Sequence, residues 1–93
     1  MIRVQPVKGS DDVKVTFVVD SDAPEGPISV VGSFNDWSPF EHVLRKRSNG
    51  SRSIAVTVPA GSEVHFRYLA SDGHWFDDAD ATEHTASGGV LKV

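Results

Sequence analysis

The sequence predicts an all-β fold, an antiparallel β-sandwich of six or seven short strands. Three observations carry that expectation. Hydrophobic residues alternate with a period of two in the best-patterned stretches, as on strands with one buried face. Turn-forming residues recur every eight to twelve positions, the spacing of short strands in a sandwich. No segment of eleven or more residues has the 3.6-residue periodicity of an amphipathic helix.

Taken in order, Ile2 to Val7 is a first strand, and Pro6, which has no N–H to donate, places it at a sheet edge. From Asp12 to Asp20 the alternation is clear, with Val13, Val15, Phe17 and Val19 on one side and Lys14, Thr16 and Val18 on the other. The run Asp-Ser-Asp-Ala-Pro-Glu-Gly-Pro from Asp20 to Pro27 reads as a loop. Ile28, Val30 and Val31 form a short strand that stops at Gly32. Asn35 to Phe40 carries Asn, Asp, Ser and Pro in quick succession, so the backbone turns there. His42 to Arg47 is extended, with Leu44 inward. Asn49-Gly50 predicts a tight hairpin, because both residues tolerate positive φ. The return strand has Ile54, Val56 and Val58 inward and Ser53, Ala55 and Thr57 outward. Pro59-Ala60-Gly61-Ser62 turns the chain again. On the strand Glu63 to Ala70, Val64, Phe66 and Tyr68 face the core, while Glu63, His65, Arg67 and Leu69 face water or a ligand. Ser71-Asp72-Gly73 is a further turn that delivers His74, Trp75 and Phe76. A polar stretch from Asp77 to Gly89 precedes a last strand, Val90 to Val93. With no internal repeat, residues 1–93 form one domain.

Composition narrows the function. The chain has 93 residues, 39% of them hydrophobic, enough to bury roughly 60–65% of its extended-chain surface. It has no cysteine, so disulfides, thiolate metal sites and cysteine nucleophiles are excluded together. The N-terminus lacks an apolar leader and no stretch approaches a membrane span, so the expectation is a cytoplasmic protein with no membrane partner. A net charge of −4 argues against nucleic acid, which needs a concentrated basic footprint. Arg45, Lys46, Arg47 and Arg52 cluster mid-chain and Asp72, Asp77, Asp78, Asp80 and Glu83 cluster late, a pattern expected of two solvated loops of opposite sign.

Two tryptophans, Trp37 and Trp75, lie at turns, outside any expected strand interior. An exposed indole offers a flat apolar platform to the C–H face of a pyranose, and the sugar's hydroxyl rim then needs polar partners. Arg67, on the outward side of its strand, is the first candidate, with Asn35, Asp36, His65 and His74 as others. A tryptophan in a small sandwich serves equally well as a lid on the core. An enzyme, a metal centre or a cofactor site is not expected. His42, His65, His74 and His84 are scattered, without His-x-x-x-His or Glu-x-x-His spacing. Asp77-Asp78-Ala79-Asp80 lacks the glycine and distal glutamate of a calcium loop. No cleft for paired glycosidic carboxylates is evident.

Gly32-Ser33-Phe34-Asn35-Asp36-Trp37 resembles the Gly-x-Phe-Asn-x-Trp signature of carbohydrate-binding module family 48. This is the immunoglobulin-like, early-set domain of isoamylases and branching enzymes and the glycogen-binding domain of AMP-activated kinase β subunits. The resemblance continues in register through the Asn49-Gly50 hairpin, the Glu63 to Tyr68 strand, the Asp72-Gly73-His74-Trp75 turn, Asp77-Asp78 and the Val90 strand, about residues 12 to 93. It implies an early-set sandwich that binds an α-glucan (glycogen, starch or malto-oligosaccharide) by stacking on Trp37 and Trp75, and that works with a protein such as a glycogen-metabolism enzyme. It also implies that Arg67 stands where glucan-binding members carry a hydrogen-bonding lysine. There are two departures. Arginine forks where lysine points, and Gly88-Gly89-Val90 stands where those members carry an asparagine before the last strand. Since many proteins of this fold do not bind sugar, the alternative is a protein-interaction or scaffold domain. Its contact would be the Ser53, Ala55 and Thr57 face, with Arg45-Lys46-Arg47 meeting an acidic partner.

Overall fold

In a computed structural model, which describes residues 1–20, 26–38, 41–71, 73–78, 81–85 and 88–93, the chain forms an antiparallel β-sandwich. Nine strands occur among the described residues: β1 (Ile2–Pro6), β2 (Asp12–Val19), β3 (Ile28–Gly32), β4 (Arg45–Lys46), β5 (Arg52–Pro59), β6 (Glu63–Ala70), β7 (Trp75–Phe76), β8 (Glu83–Thr85) and β9 (Gly88–Lys92). The first sheet has the order β1-β2-β5-β4. The second has the order β3-β6-β9-β8, with β7 added beside β6. The interior of the predicted loop after Asp20 (residues 21–25) and the end of the turn that closes at Phe40 (residues 39–40) lie outside the described residues, as do Asp72 and Asp80.

The alternation that predicts the strands also sets their register. Val15 pairs with Val56 and Phe17 with Ile54 in the first sheet, and Val30 pairs with Tyr68 in the second. Each pair faces the opposite sheet, because successive side chains alternate across a strand. Three rings fill the centre: Phe17 lies 4.9 Å from Phe66, and Phe66 lies 5.8 Å from Tyr68 at 71°, near edge-on. All three are buried, together with Val15, Ile28, Val30 and Val64. Each such side chain contributes about 1.5–3 kcal/mol by leaving water. Pro6 ends β1, an edge strand, as its missing N–H requires.

Five expectations change. Trp75 is not in a turn but in the two-residue strand β7, and the polar stretch contains the strand β8. The last strand opens at Gly88, two residues early. At the hairpin only Gly50 has positive φ (88°), so Asn49 does not share a two-residue turn with it. Gly50 N–H closes onto Arg47 O at 3.0 Å, and Asn49 Oδ1 accepts from Ser51 N–H at 3.0 Å, as in a three-residue connection ending in a left-handed glycine. Finally, Asp78 is buried rather than solvated. Its Oδ2 accepts from the Tyr68 hydroxyl at 2.7 Å and from the Met1 ammonium at 3.1 Å. A core tyrosine needs an acceptor for its hydroxyl, and Asp78 supplies it.

Candidate functional site

The segment from Gly32 to Trp37 ends β3 in a single 3₁₀ turn, Ser33–Asn35, and each residue of the segment has a separate task. Gly32 has no room for a side chain: a Cβ there would collide with His65 O and lie 2.7 Å from the Phe34 ring. Ser33 Oγ accepts the His65 backbone N–H at 3.2 Å, continuing the ladder where β3 has stopped. Phe34 turns back over the core and stacks on Phe17, with centroids 5.8 Å apart at 19°. Asn35 is only 5% exposed. Its Oδ1 accepts from Gly32 N–H at 3.0 Å, and its Nδ2 donates to Val30 O at 3.1 Å and to His42 Nδ1 at 3.0 Å. Asn35 was expected at a sugar's rim. It instead plugs the turn, with both amide atoms engaged by the protein, because the 3₁₀ backbone aims it at the end of β3.

Asp36 and Trp37 then both adopt positive φ, 54° and 59°. That region is uncommon outside glycine and an outlier for a bulky side chain. The turn is held by Trp37 N–H donating to Gly32 O at 2.9 Å and Ser38 N–H donating to Asn35 O at 3.1 Å. The indole left at its tip is 43% exposed.

Trp75 reaches the surface by strand parity. On β7, Phe76 pairs with Tyr68 and points inward, its ring 5.2 Å from the tyrosine. Trp75 pairs with Leu69 and therefore shares the outer face of the second sheet with Leu69 and Arg67. It is 46% exposed. His74 precedes it, exposed, with its ring 6.1 Å from Phe76 and nearly parallel. Arg67 lies outward as its parity predicts, half-buried, with Nε donating to Asp77 Oδ1 at 3.1 Å.

Leu69, Arg67 and Trp75 are thus brought together on one face, and Trp37 stands at the end of β3 on the far side of β6. Gly32, which anchors Trp37, pairs with Phe66, three residues along β6 from the partner of Trp75. Strand geometry makes that separation about 10 Å along β6 and about 10 Å across it. The residues missed by sequence reasoning are Asp77 and Gly88, both beside Arg67, and His42 behind Asn35. Among the described residues no group of three His, Asp or Glu side chains is placed to hold a metal ion.

No family model matches the chain. It is 35% identical over 92 residues to an alpha-amylase of Niallia circulans, covering 97% of this chain and 6% of that protein. It is 33% identical over 54 residues to a 1,4-alpha-glucan branching enzyme of Xanthomonas campestris pv. campestris, covering 57% of this chain and 7% of that one. A 1,4-alpha-glucan-branching enzyme of Solanum tuberosum is 30% identical over 70 residues, 68% of this chain and 8% of the enzyme. The chain therefore spans less than a tenth of the length of these relatives.

Proposed function

We propose that residues 1–93 form a non-catalytic α-glucan-binding module of the family 48 type. Its ligand stacks on Trp37 and Trp75 and accepts hydrogen bonds from Arg67, with His74 at the margin. The observation that carries this reading is the exposure of both indoles, while every phenylalanine and tyrosine among the described residues is buried or half-buried. The similarity to a protein named alpha-amylase and to proteins named for branching 1,4-alpha-glucan supports the ligand class. Among the described residues that line the groove beside Leu69, about 300 Å³, namely Pro27, Val43, Leu69, Ala70 and small residues, none is an acid or base, which supports a non-catalytic role.

The test is a titration of intrinsic tryptophan fluorescence with maltoheptaose. Two stacked rings and a few hydrogen bonds predict a Kd of about 10 μM to 1 mM. An unchanged spectrum at millimolar sugar would sink the reading.

A second reading rests on a different observation. The outer face of the first sheet carries Arg3, Lys14 and Arg45, with Arg47 bonded to Ser53 at its edge through Nε and Oγ at 2.7 Å. These four cations sit in a chain whose net charge is −4, so the remainder carries −8. Charge separation of this kind suits docking to an acidic protein surface, such as that of a glycogen-metabolism enzyme. Pull-down of a candidate partner, lost on Lys14→Glu/Arg45→Glu and kept on Trp75→Ala, is the outcome that favours it.

A further inference from the structure

Arg67 occupies a seam. Along one edge of β6, β9 pairs with Glu63 to Phe66 and β7 pairs with Tyr68 and Leu69. Arg67 is the one residue of β6 between those two partners. Gly88 lies beside it, one residue before the Phe66–Gly89 pair, and Asp77 lies beside it, one residue past the Tyr68–Phe76 pair. A Cβ on Gly88 would collide with Arg67 Cγ and sit 2.8 Å from Phe66 O and 2.9 Å from Arg67 Cδ. The Gly88 φ of 131° is also one that side-chain-bearing residues rarely adopt. The arginine stem therefore lies down across the glycine. At its far end Nε is held by Asp77, and among the described residues the two terminal nitrogens have no protein partner.

We infer that Asp77 and Gly88 are positioning residues that make Arg67 a fixed two-pronged donor for a vicinal diol, the adjacent hydroxyls of one neutral pyranose. The inference rests on the glucan reading and deepens it. With Nε engaged, the guanidinium presents Nη1 and Nη2 as a planar pair of donors, a geometry suited to two neighbouring oxygens. With the Asp77 carboxylate alongside, its charge is compensated, which favours uncharged hydroxyls over phosphate or sulfate. An ammonium in the same place would have no lateral Nε–H for Asp77 and would point at one oxygen. The glycine before the last strand is, on this view, the clearance that the arginine requires, and positions 67 and 88 change as a unit.

The experiment compares wild type with Asp77→Asn, Asp77→Glu, Arg67→Lys, Gly88→Ala and Trp75→Ala. It measures the Kd for maltoheptaose, the melting temperature, and ¹⁵N relaxation of the Arg67 Nε–H. In wild type that group is ordered and slow to exchange with water. Asp77→Asn mobilises it and weakens maltoheptaose by about tenfold, the scale of one charge-assisted hydrogen bond, with the melting temperature unmoved. Asp77→Glu restores part of both. Arg67→Lys weakens binding to a similar degree, and Gly88→Ala does so with a lower melting temperature. Trp75→Ala weakens maltoheptaose by about tenfold or more and leaves Nε–H ordered. If Asp77→Asn binds maltoheptaose like wild type while Trp75→Ala does not, the positioning role is wrong and the glucan reading stands. If wild type with an ordered Nε–H binds no maltoheptaose, the glucan reading falls and takes the diol assignment with it.

Discussion

On the outer face of the β1-β2-β5-β4 sheet the cross-strand rows read Arg3–Thr16–Ala55 and Gln5–Lys14–Thr57. On the outer face of the β3-β6-β9-β8 sheet they read Ser29–Leu69–Trp75 and Val31–Arg67, with Gly88 next in line. In the first, short side chains form a floor between cations that extend into water, and Arg3, Lys14, Ala55 and Thr57 are all exposed. In the second, Val31 and Val90 point away from the core yet are 0% and 1% exposed. That face has a packed layer of its own, in which Arg67 lies flat and is tied to Asp77. The difference is one of order more than polarity. A surface whose side chains are already fixed loses little entropy on binding, whereas mobile lysines and arginines steer a partner but grip it weakly.

The largest expected effect comes from removing what holds the ordered face. Asn35→Ala leaves the Gly32 N–H and the Val30 carbonyl short of a buried partner, at a cost of about 2–4 kcal/mol. For a chain of this size that lowers the melting temperature by roughly 10–25 °C. Thr57→Ala on the other face changes stability by less than about 0.5 kcal/mol. Equal losses in thermal melts would erase the contrast between the two faces.

Next, Trp37→Ala and Trp75→Ala each weaken maltoheptaose by about tenfold or more in calorimetry, with folds intact by circular dichroism. Smaller again is Lys14→Glu/Arg45→Glu, which leaves the maltoheptaose Kd within about twofold, since exposed charges that far from the proposed site are screened. A large loss there would move the sugar to the basic face.

The smallest effect concerns the rim of the second face, where Lys92 Nζ meets Glu83 Oε1 at 2.9 Å between half-exposed side chains. The hydrogen bond and charge of Lys92 hold the Glu83 carboxyl below 4.5, and those of Glu83 hold the Lys92 ammonium above 10.5. The depressed carboxyl contributes above its unfolded value and stops contributing as pH falls through its folded one. The raised ammonium contributes below its unfolded value and stops as pH rises through its folded one. The pair is therefore intact across the neutral range and lost at both extremes. Glu83→Gln at neutral pH and moderate salt is expected to leave the melting temperature unresolved from wild type, because exposed ion pairs are screened and entropically costly.

What was legible in the sequence follows from which physical term sets each element. Strands β2, β5 and β6 carry their burial in their side-chain alternation, so their extent, their inward faces and the outward face of Arg67 could be read directly. Strand β8 exists because its backbone pairs with β9, with no apolar pattern, and β7 is only two residues long. Asn35 could not be placed because a turn asparagine reads alike whether it faces water or plugs the turn. Only the nearness of His42 and Val30 decides it. Gly88 reads in the sequence as a missing polar residue, and only the path of the Arg67 stem gives it a reason. Asp78 left one usable signal, the core tyrosine ten residues upstream whose hydroxyl had to end somewhere.

The two consecutive left-handed residues at Asp36 and Trp37 set the folding of this protein against its proposed use. Asp-Gly is a favoured pair for such a backbone, and a bulky L-residue held there gives up about 1–2 kcal/mol. Trp37→Gly should accordingly melt higher than Trp37→Ala, with the same packing lost but the strain relieved, while weakening maltoheptaose at least as far, readable from one melt and one titration. Once the indole is gone, selection for heat resistance alone settles on glycine at this position, and the turn that results is relaxed and blind to sugar.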